Sequence, residues 1–259
     1  QTVGSTFSDK NVGTGKTVTV NSIALADGTN GGLALNYSIS SGQTTTANIT
    51  TKALTVSGIT ASNKSYDGTI TATLGTGAVV YGGLVSGDTL TGTYSGVFNN
   101  ANVGTGKTVT ITSSYGGADV NNYTITDQAS TTADVTTKAL TATASTVNKV
   151  YDGTTTATTT LTFAGLVGTE TLGQTVGSTF NNKNVGTGKT VTVNSITLAN
   201  GTNGGLASNY SISTGQTTTA NVTAKALSVS GITTSNKTYD ANTTATLNTG
   251  GVTYTGLVG

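Results

Sequence analysis

The chain of 259 residues contains no histidine, cysteine, methionine, tryptophan, proline or arginine. Without histidine and cysteine, the usual zinc, haem and iron–sulfur sites cannot be built. Cysteine proteases and Ser–His–Asp hydrolases are excluded because the nucleophile or its base is missing. The absence of cysteine also leaves no disulfide framework. We therefore expect no metal site, no cofactor and no enzymatic activity.

Charge is scarce as well, since charged residues make up 8% of the chain and the formal net charge is +1. The 11 basic residues are scattered lysines that form no basic stripe, so we expect no nucleic-acid partner. No apolar run approaches the ~18 residues of a transmembrane helix, so we expect no membrane span. The lack of methionine predicts a processed product or a piece of a longer chain.

Threonine and glycine are abundant, with 63 and 36 residues. Threonine, valine, isoleucine and tyrosine favour strands, whereas the usual helix formers are scarce. Disorder caused by charge repulsion is not expected in a chain with so little charge. The composition therefore predicts an all-β protein.

Several motifs recur at a nearly constant interval. Asn-Val-Gly-Thr-Gly-Lys-Thr-Val begins at Asn11, Asn102 and Asn184, and Lys-Ala-Leu begins at Lys52, Lys138 and Lys225. The Lys-Ala-Leu starts are 86 and 87 residues apart (138 − 52 and 225 − 138). The period predicts the back part of a repeat at 1–51, full repeats at 52–137 and 138–224, and the front part of a repeat at 225–259. We expect an excerpt of a longer array or the repeating element of a filament.

Within a repeat, alternating stretches are separated by turn residues every ~8–12 positions, a pattern typical of small antiparallel β domains. In 52–137 this pattern predicts roughly seven short strands. The junction from Ile49 to Leu54 contains no proline, glycine or flexible spacer. Because flexible linkers are rich in glycine and serine, we expect the repeats to form an extended, stiff rod.

The most motif-like feature is Tyr-Asp-Gly, which occurs twice and returns a third time as Tyr-Asp-Ala. It comprises Tyr66, Asp67, Gly68, Tyr151, Asp152, Gly153, Tyr239 and Asp240. A calcium or sugar site on the aspartates is one interpretation, but Ca²⁺ takes six to eight oxygen ligands and no second acid lies nearby in sequence. We therefore interpret the motif as structural: a turn in which glycine adopts positive φ and tyrosine is anchored in the core.

Two further motifs each allow a functional and a structural interpretation. Gly13-Thr-Gly-Lys16 and its copies superficially resemble a phosphate-binding loop, but the required glycine spacing is not met and strand-like residues follow, so we predict a hairpin turn. The Lys-Ala-Leu lysines each follow an Asn or Asp by four residues, at Asn48, Asp134 and Asn221. An isopeptide crosslink is one interpretation, and lysines that protect sheet edges are the one we prefer.

Five motifs occur in fixed order: the Lys-Ala-Leu start, the Tyr-Asp-Gly-Thr turn, Gly-Leu-Val-x-Gly, Asn-Val-Gly-Thr-Gly-Lys and Asn-Tyr-x-Ile. Together they resemble the YDG-type repeat, which is related to the MBG repeats of large bacterial surface proteins. Such arrays occur in filamentous-haemagglutinin-like adhesins exported by two-partner secretion. The resemblance implies Ig-like or β-grasp-like modules in an extracellular stalk, and it implies no catalytic residue.

Three functional hypotheses follow. The first is a structural stalk or filament on the bacterial cell surface or in a secreted fibre, which self-assembles head to tail or laterally. The second is direct binding of cell-surface glycans, or of host or matrix receptors, by exposed tyrosines among Tyr66, Tyr81, Tyr94 and Tyr115. In the third, the half-repeat 225–259 of one chain completes the half-repeat 1–51 of the next, because each would otherwise leave sheet edges unpaired.

Overall fold

The computed structural model describes all residues from 1 to 259. Its regular structure consists of 26 β-strands and three short 3-10 turns, at Ala34–Asn36, Val120–Asn122 and Ala207–Asn209. The prediction of an all-β chain is therefore confirmed. No helix in the chain has the length and apolar character needed to cross a bilayer.

The strands are given by segment. Residues 1–51 contain β1 (Thr2–Phe7), β2 (Gly13–Ala24) and β3 (Thr44–Ile49). Residues 52–137 contain β4 (Lys52–Ser57), β5 (Thr60–Ala61), β6 (Lys64–Ser65), β7 (Thr71–Ala72), β8 (Leu74–Gly75), β9 (Val80–Gly82), β10 (Thr91–Phe98), β11 (Gly104–Gly116), β12 (Tyr123–Thr126) and β13 (Ser130–Thr136). Residues 138–224 contain β14 (Lys138–Ala139), β15 (Thr141–Thr146), β16 (Lys149–Val150), β17 (Thr156–Ala157), β18 (Thr159–Ala164), β19 (Leu172–Phe180), β20 (Gly186–Asn200), β21 (Tyr210–Ser211) and β22 (Thr217–Thr223). Residues 225–259 contain β23 (Ser228–Ser230), β24 (Thr233–Thr234), β25 (Leu247–Asn248) and β26 (Thr253–Thr255).

The chain divides into two compact units. Unit 1 comprises Gln1–Lys64 and Thr69–Val135, and unit 2 comprises Ser65–Gly68 and Thr136–Gly259. The short segment Ser65–Gly68, which carries the first Tyr-Asp-Gly motif, therefore belongs to unit 2.

Unit 1 is built from layered sheets. Its strand orders are β1-β2-β3, β6-β13-β11-β10-β7, β12-β4-β9 and β5-β8. Leu54 and Val56 alternate with exposed residues along β4, and they are buried against Ile111 of β11. The three-stranded sheet around β4 thus packs on the five-stranded sheet, and each buried side chain contributes about 1.5–3 kcal/mol.

The pairing departs from the predicted antiparallel pattern, because both units contain parallel pairs, which in unit 2 are β14 with β21 and β16 with β22. Strand β12 pairs with β4 in parallel, with Tyr123 opposite Lys52. A parallel pair needs a long connection, and most of the repeat lies between these two strands. Strands β7 and β8 also belong to different sheets although one residue separates them, since β7 pairs with β10 while β8 pairs with β5. The repeat 52–137 therefore has ten strands, from two to 13 residues long, where the sequence pattern predicts about seven short ones.

Unit 2 repeats the five-stranded sheet in the order β16-β22-β20-β19-β17, beside the pairs β14-β21, β15-β18, β23-β26 and β24-β25. Its core contains Phe180, Val191 and Val222, with Tyr151 packed against them. The last segment, 225–259, adds no residue to a buried core.

Successive repeats are connected almost strand to strand. Strand β13 ends at Thr136 and β14 begins at Lys138, and β3 ends at Ile49 shortly before β4 begins at Lys52. The connections are as short as the sequence indicates. The arrangement as a rod remains a prediction.

The Gly-Thr-Gly-Lys motif is not a hairpin turn, and that prediction was wrong. In the repeat 52–137 it lies within β11, where the register with β13 shifts between Gly104 and Lys107 and forms a β-bulge. The left-handed glycine of the bulge, Gly106 with φ 57°, donates its N–H to Asp134 Oδ1 at 2.7 Å. The same bond joins Gly15 to Asn48 and Gly188 to Asn221, at 2.8 Å each. The Asn or Asp of the crosslink interpretation therefore holds the bulge.

Candidate functional site: a tyrosine–carboxylate cluster around the Tyr-Asp-Gly loop

Each Tyr-Asp-Gly loop is closed by a lysine that stands two residues before the tyrosine. The lysine Nζ donates to two backbone carbonyls of its own loop. Lys64 bonds to Thr69 (2.8 Å) and Thr71 (3.1 Å), and Lys149 bonds to Thr154 (3.0 Å) and Thr156 (2.9 Å). Lys237 bonds to Asn242 (2.9 Å) and Thr244 (2.9 Å). We call these three lysines the loop clamps. Because three copies make the same bonds, the clamp is a property of the loop itself.

The aspartate of the motif binds the clamp lysine. Asp152 Oδ1 accepts from Lys149 Nζ at 2.8 Å and from the backbone N–H of Thr154 at 2.9 Å. The hydrogen bond from Lys149 is the main cause that lowers the pKa of Asp152 to about 2. Asp240 pairs with Lys237 in the same way, at 2.8 Å. Asp67 lies on the exposed side of its loop.

The glycine of the motif adopts the left-handed conformation predicted for a turn. Its φ is +76° at Gly68 and +80° at Gly153, and Ala241 takes the same region with φ 61° at the third copy. The three aspartates do not converge on a shared site, and no group of three or more acidic, histidine or cysteine side chains lies together anywhere in the chain. Nothing in this geometry supports the calcium interpretation.

Tyr66 is buried in unit 2, where its partners are residues far away in sequence. Its hydroxyl donates to Glu170 Oε1 at 2.6 Å, and the hydroxyl of Tyr210 donates to Glu170 Oε2 at 2.6 Å. The two rings meet edge to face, with centroids 5.4 Å apart. Tyr66 is 4% exposed and Tyr210 is 5% exposed. The backbone N–H of Val167 donates to the Tyr210 hydroxyl at 2.9 Å and completes the cluster.

Burial and the nearby carboxylate both favour the neutral form of these phenols. Burial, followed by the hydrogen bond to Glu170, raises the pKa of Tyr66 to about 12. The same two causes raise the pKa of Tyr210. Both tyrosines therefore stay protonated at neutral pH and donate to the carboxylate. Hydrogen bonds to an ionised acceptor are roughly twice as strong as those between neutral groups.

Unit 1 contains the counterpart of this cluster. The Tyr123 hydroxyl donates to Asp88 Oδ2 at 2.7 Å and accepts from the Val85 N–H at 3.0 Å. No tyrosine occupies the place of Tyr66, and Lys10 Nζ contacts the other oxygen of Asp88 at 2.9 Å and Asp119 at 3.1 Å instead. The hydrogen bond from Lys10 is the main cause that lowers the pKa of Asp88.

The two clusters are copies of one arrangement, which we call the carboxylate slot. It consists of an acid, a tyrosine, a valine N–H and an asparagine: Glu170, Tyr210, Val167 and Asn209 in one repeat, and Asp88, Tyr123, Val85 and Asn122 in the other. Sequence reasoning missed the slot. A signal was present, because the acid follows the glycine of Gly-Leu-Val by five residues in both copies, from Gly83 to Asp88 and from Gly165 to Glu170.

A family model described as the YDG domain matches residues 50–133 and 136–220. The chain belongs to the YDG domain family. Neither the curated proteins nor the solved structures contain a match to it. Each matched YDG domain contains one Tyr-Asp-Gly loop, at Tyr66 and at Tyr151, and one carboxylate slot. The third loop, at Tyr239, lies outside the matched residues.

The remaining tyrosines proposed for sugar binding are engaged within the first YDG domain. The hydroxyls of Tyr81 and Tyr94 are 3.0 Å apart, and the rings of Tyr94 and Tyr115 meet edge to face. All three pack against the cluster of Leu54 and Ile111. Burial is the main cause that raises the pKa of Tyr94. Each of these three rings is half-buried, with one part packed on the cluster and another part open to solvent.

Proposed function

We propose that this chain is a structural repeat region of a bacterial extracellular adhesin or surface fibre, in which YDG domains act as stalk modules without catalysis. The observation that carries the proposal is the burial of Tyr66, from the loop of one YDG domain, against Glu170 and Tyr210 of the next. A protein whose repeats contact their neighbours through a specific buried group is suited to a mechanical role.

The contact would make neighbouring repeats stabilise each other. A hydrogen bond to a charged acceptor typically contributes about 1.5–3 kcal/mol; Glu170 is half-buried, and Tyr66 adds the burial of its ring. In a linear array, such terms add along the chain as nearest-neighbour interactions. The nearly direct passage from β13 to β14 leaves no flexible spacer that would decouple the repeats.

The surface chemistry is also consistent with a stalk. Threonine-rich strands present hydroxyl groups, and the formal net charge is only +1. The absence of cysteine and histidine removes side chains that are sensitive to oxidation, metal or mild pH change. We propose an extracellular location on this basis together with the YDG domains.

Small-angle X-ray scattering of the whole chain tests the proposal. A compact globule of this length would have a radius of gyration of about 18 Å, and we expect a clearly larger value with the pair-distance distribution of a rod. Tyr66→Ala should broaden that distribution because it releases the contact with Glu170. Tyr37→Ala, at an exposed tyrosine, is the matched control and should leave the curve unchanged. A compact particle would refute the stalk.

Direct binding is the second candidate, to cell-surface glycans or to host or matrix receptors. The observation in its favour is a cavity of about 410 Å³ in segment 1–51, lined by Leu33, Tyr37 and Ile39 among others. Tyr37 is exposed there and its ring is accessible to a sugar. A glycan array probed with the whole chain and with Tyr37→Ala tests this function. Binding that the variant loses would support it, and an array without signal would contradict it.

A further inference from the structure

The Asn-Val-Gly-Thr-Gly-Lys motif begins with a short loop that precedes the β-bulge. In segment 1–51 this loop is closed by residues of its own repeat. The N–H of Asn11 donates to Asp9 Oδ1 at 2.8 Å, and Lys16 Nζ donates to the carbonyl oxygen of Asn11 at 2.7 Å. Lys16 Nζ also bonds to Asp9 Oδ1. The shape of the loop is therefore set by local bonds.

The two YDG domains close the same loop with an asparagine in the place of Asp9. Its side-chain oxygen accepts from the loop N–H and from the lysine of the motif, at Asn100 in one domain and Asn182 in the other. The two lysines, Lys107 and Lys189, are both 9% exposed. Burial of an ammonium group is costly unless the group is hydrogen-bonded. The lysine of Gly-Thr-Gly-Lys thus holds this loop in every copy.

The loop of segment 1–51 contacts the YDG domain that follows it. The N–H of Val12 donates to Asn122 Oδ1 at 2.9 Å, and Asn122 Nδ2 donates to Asn11 Oδ1 at 3.3 Å. One side-chain amide thus uses both its acceptor and its donor on two consecutive residues of the preceding repeat. The N–H of Val12 belongs to the peptide group whose carbonyl is held by Lys16. That peptide group is therefore bonded at one end by its own repeat and at the other end by the next one.

Asn122 is the asparagine of the carboxylate slot, and its counterpart in the second YDG domain also contacts the preceding repeat. Asn122 is half-buried and is the last residue of the 3-10 turn Val120–Asn122. The counterpart, Asn209, ends an equivalent turn, is 0% exposed and hydrogen-bonds the hydroxyl of Tyr66. Both slots therefore direct this amide towards the repeat before them.

Lys10 also bonds to the first YDG domain, but it is not a shared part of the contact. Its side chain is 67% exposed, and exposed ion pairs contribute little. Its counterpart in the first YDG domain is Ala101, whereas Asn-Val is present in all three copies of the motif. The bonds of Asn11 and Val12 are therefore the part of the contact that other repeats can reproduce.

We infer that Asn122 is a docking site for the Asn-Val loop of the preceding repeat, and that this site couples the two repeats independently of a buried tyrosine. The inference rests on the proposed role of the YDG domains as coupled stalk modules, and it deepens that role by naming the group that the domain recognises. The ligand is a backbone N–H next to an amide side chain, presented by a loop that its own lysine closes. Because neither bond involves a variable side chain, the site fits any repeat that carries the motif.

Hydrogen exchange of the whole chain, followed by NMR, tests the site at a single amide. Asn122→Ala removes the acceptor of the Val12 N–H, and we expect exchange at Val12 to accelerate about tenfold, as for the loss of one or two hydrogen bonds. The amide of Gly15, which donates to Asn48 Oδ1 within segment 1–51, should keep its rate. Asn121→Ala, at an exposed residue of the same turn, is the matched control and should leave both rates unchanged.

A double variant separates docking from a general loss of structure. Asn11→Ala removes only the side-chain bond to Asn122, so it should accelerate exchange at Val12 less than Asn122→Ala does. Asn11→Ala/Asn122→Ala should exchange Val12 no faster than Asn122→Ala alone, because both substitutions act on one contact. An unchanged rate at Val12, or equal acceleration at Val12 and Gly15, would overturn the docking site.

These outcomes are distinguishable from a failure of the proposed function. A rod-like scattering curve together with a Val12 amide that is insensitive to Asn122→Ala would refute the docking site and leave the stalk standing. A compact particle in which Asn122→Ala still accelerates exchange at Val12 alone would refute the stalk and support the docking site.

Discussion

Replacement of Gly68 by alanine should destabilise unit 2 through two separate effects. Gly68 has φ +76°, in the left-handed region that side chains other than glycine adopt at a cost of about 1–2 kcal/mol. In addition, a Cβ at this position would lie 2.8 Å from Val167 Cγ1, closer than real contacts allow. Overpacking of this kind costs about 1–3 kcal/mol. We therefore expect Gly68→Ala to lower the free energy of unfolding by about 2–5 kcal/mol.

Urea denaturation followed by circular dichroism measures the change, with Gly77→Ala as the matched control. A methyl group on Gly77 would meet no heavy atom within 4 Å, and this glycine has no positive φ, so its substitution should be nearly neutral. The double variant Gly68→Ala/Val167→Ala separates the two effects, because it removes the close approach and keeps the backbone strain. We expect it to recover the packing part alone, which appears as a coupling energy in the double-mutant cycle.

Two results would refute this reasoning. If Gly68→Ala were as stable as Gly77→Ala, the loop would not hold its left-handed glycine against Val167. If Val167→Ala gave no coupling with Gly68→Ala, the loop would not be seated on the segment that carries the carboxylate slot.

Three further predictions concern the same cluster. Tyr66→Phe should lower the free energy of unfolding by about 1.5–3 kcal/mol because Glu170 loses a donor, measured by urea denaturation with Tyr37→Phe, at an exposed tyrosine, as the neutral control. Since the pKa of Tyr66 is about 12 when folded and about 10 when unfolded, the folded state binds this proton more tightly. The stability that the protonated tyrosine contributes should be complete below pH ~10 and should be lost as the pH rises towards ~12. Denaturation midpoints and tyrosinate absorbance measure this dependence. The carboxyl of Asp152, with a pKa of about 2, should stabilise the loop above pH ~4 and stop doing so as the pH falls towards ~2. Lys149→Met should raise this pKa in an NMR titration, because it removes the main cause that lowers it and leaves the hydrogen bonds of Thr154 in place.

The fold class could be predicted because its signals are local. Strand propensity and the verbatim return of whole motifs depend only on residues that are close in sequence. The strand pairing could not be predicted, since Lys52 lies opposite Tyr123 although most of a repeat separates them in sequence. The bulge at Gly106 was mistaken for a turn for the same reason, because the group that holds it belongs to Asp134, which is 28 residues away.

The candidate site divides in the same way. The Tyr-Asp-Gly loop stands out in the sequence because all its parts are contiguous. The carboxylate slot that receives Tyr66 does not stand out, since Glu170 lies 104 positions after Tyr66 in the sequence. The single acid of each slot also lacks the pattern of paired carboxylates by which catalytic or metal sites are usually found, although its fixed distance from Gly-Leu-Val marks it once the slot is known.

The three copies of the loop show which parts of the motif act within a repeat and which act between repeats. The clamp bonds of the lysine persist in all three copies, including the exposed one at Lys237. The tyrosine varies: Tyr66 is buried against a complete slot, Tyr151 is half-buried beside Leu257 and Val258, and Tyr239 is exposed where the described residues supply no slot. Lysine and aspartate therefore shape the loop within its own repeat, whereas Tyr66 is buried by residues of the repeat that follows. The Tyr66 motif thus combines a loop that its own residues close with a side chain that contacts the next repeat, and nearest-neighbour contacts of this kind couple the repeats of an array.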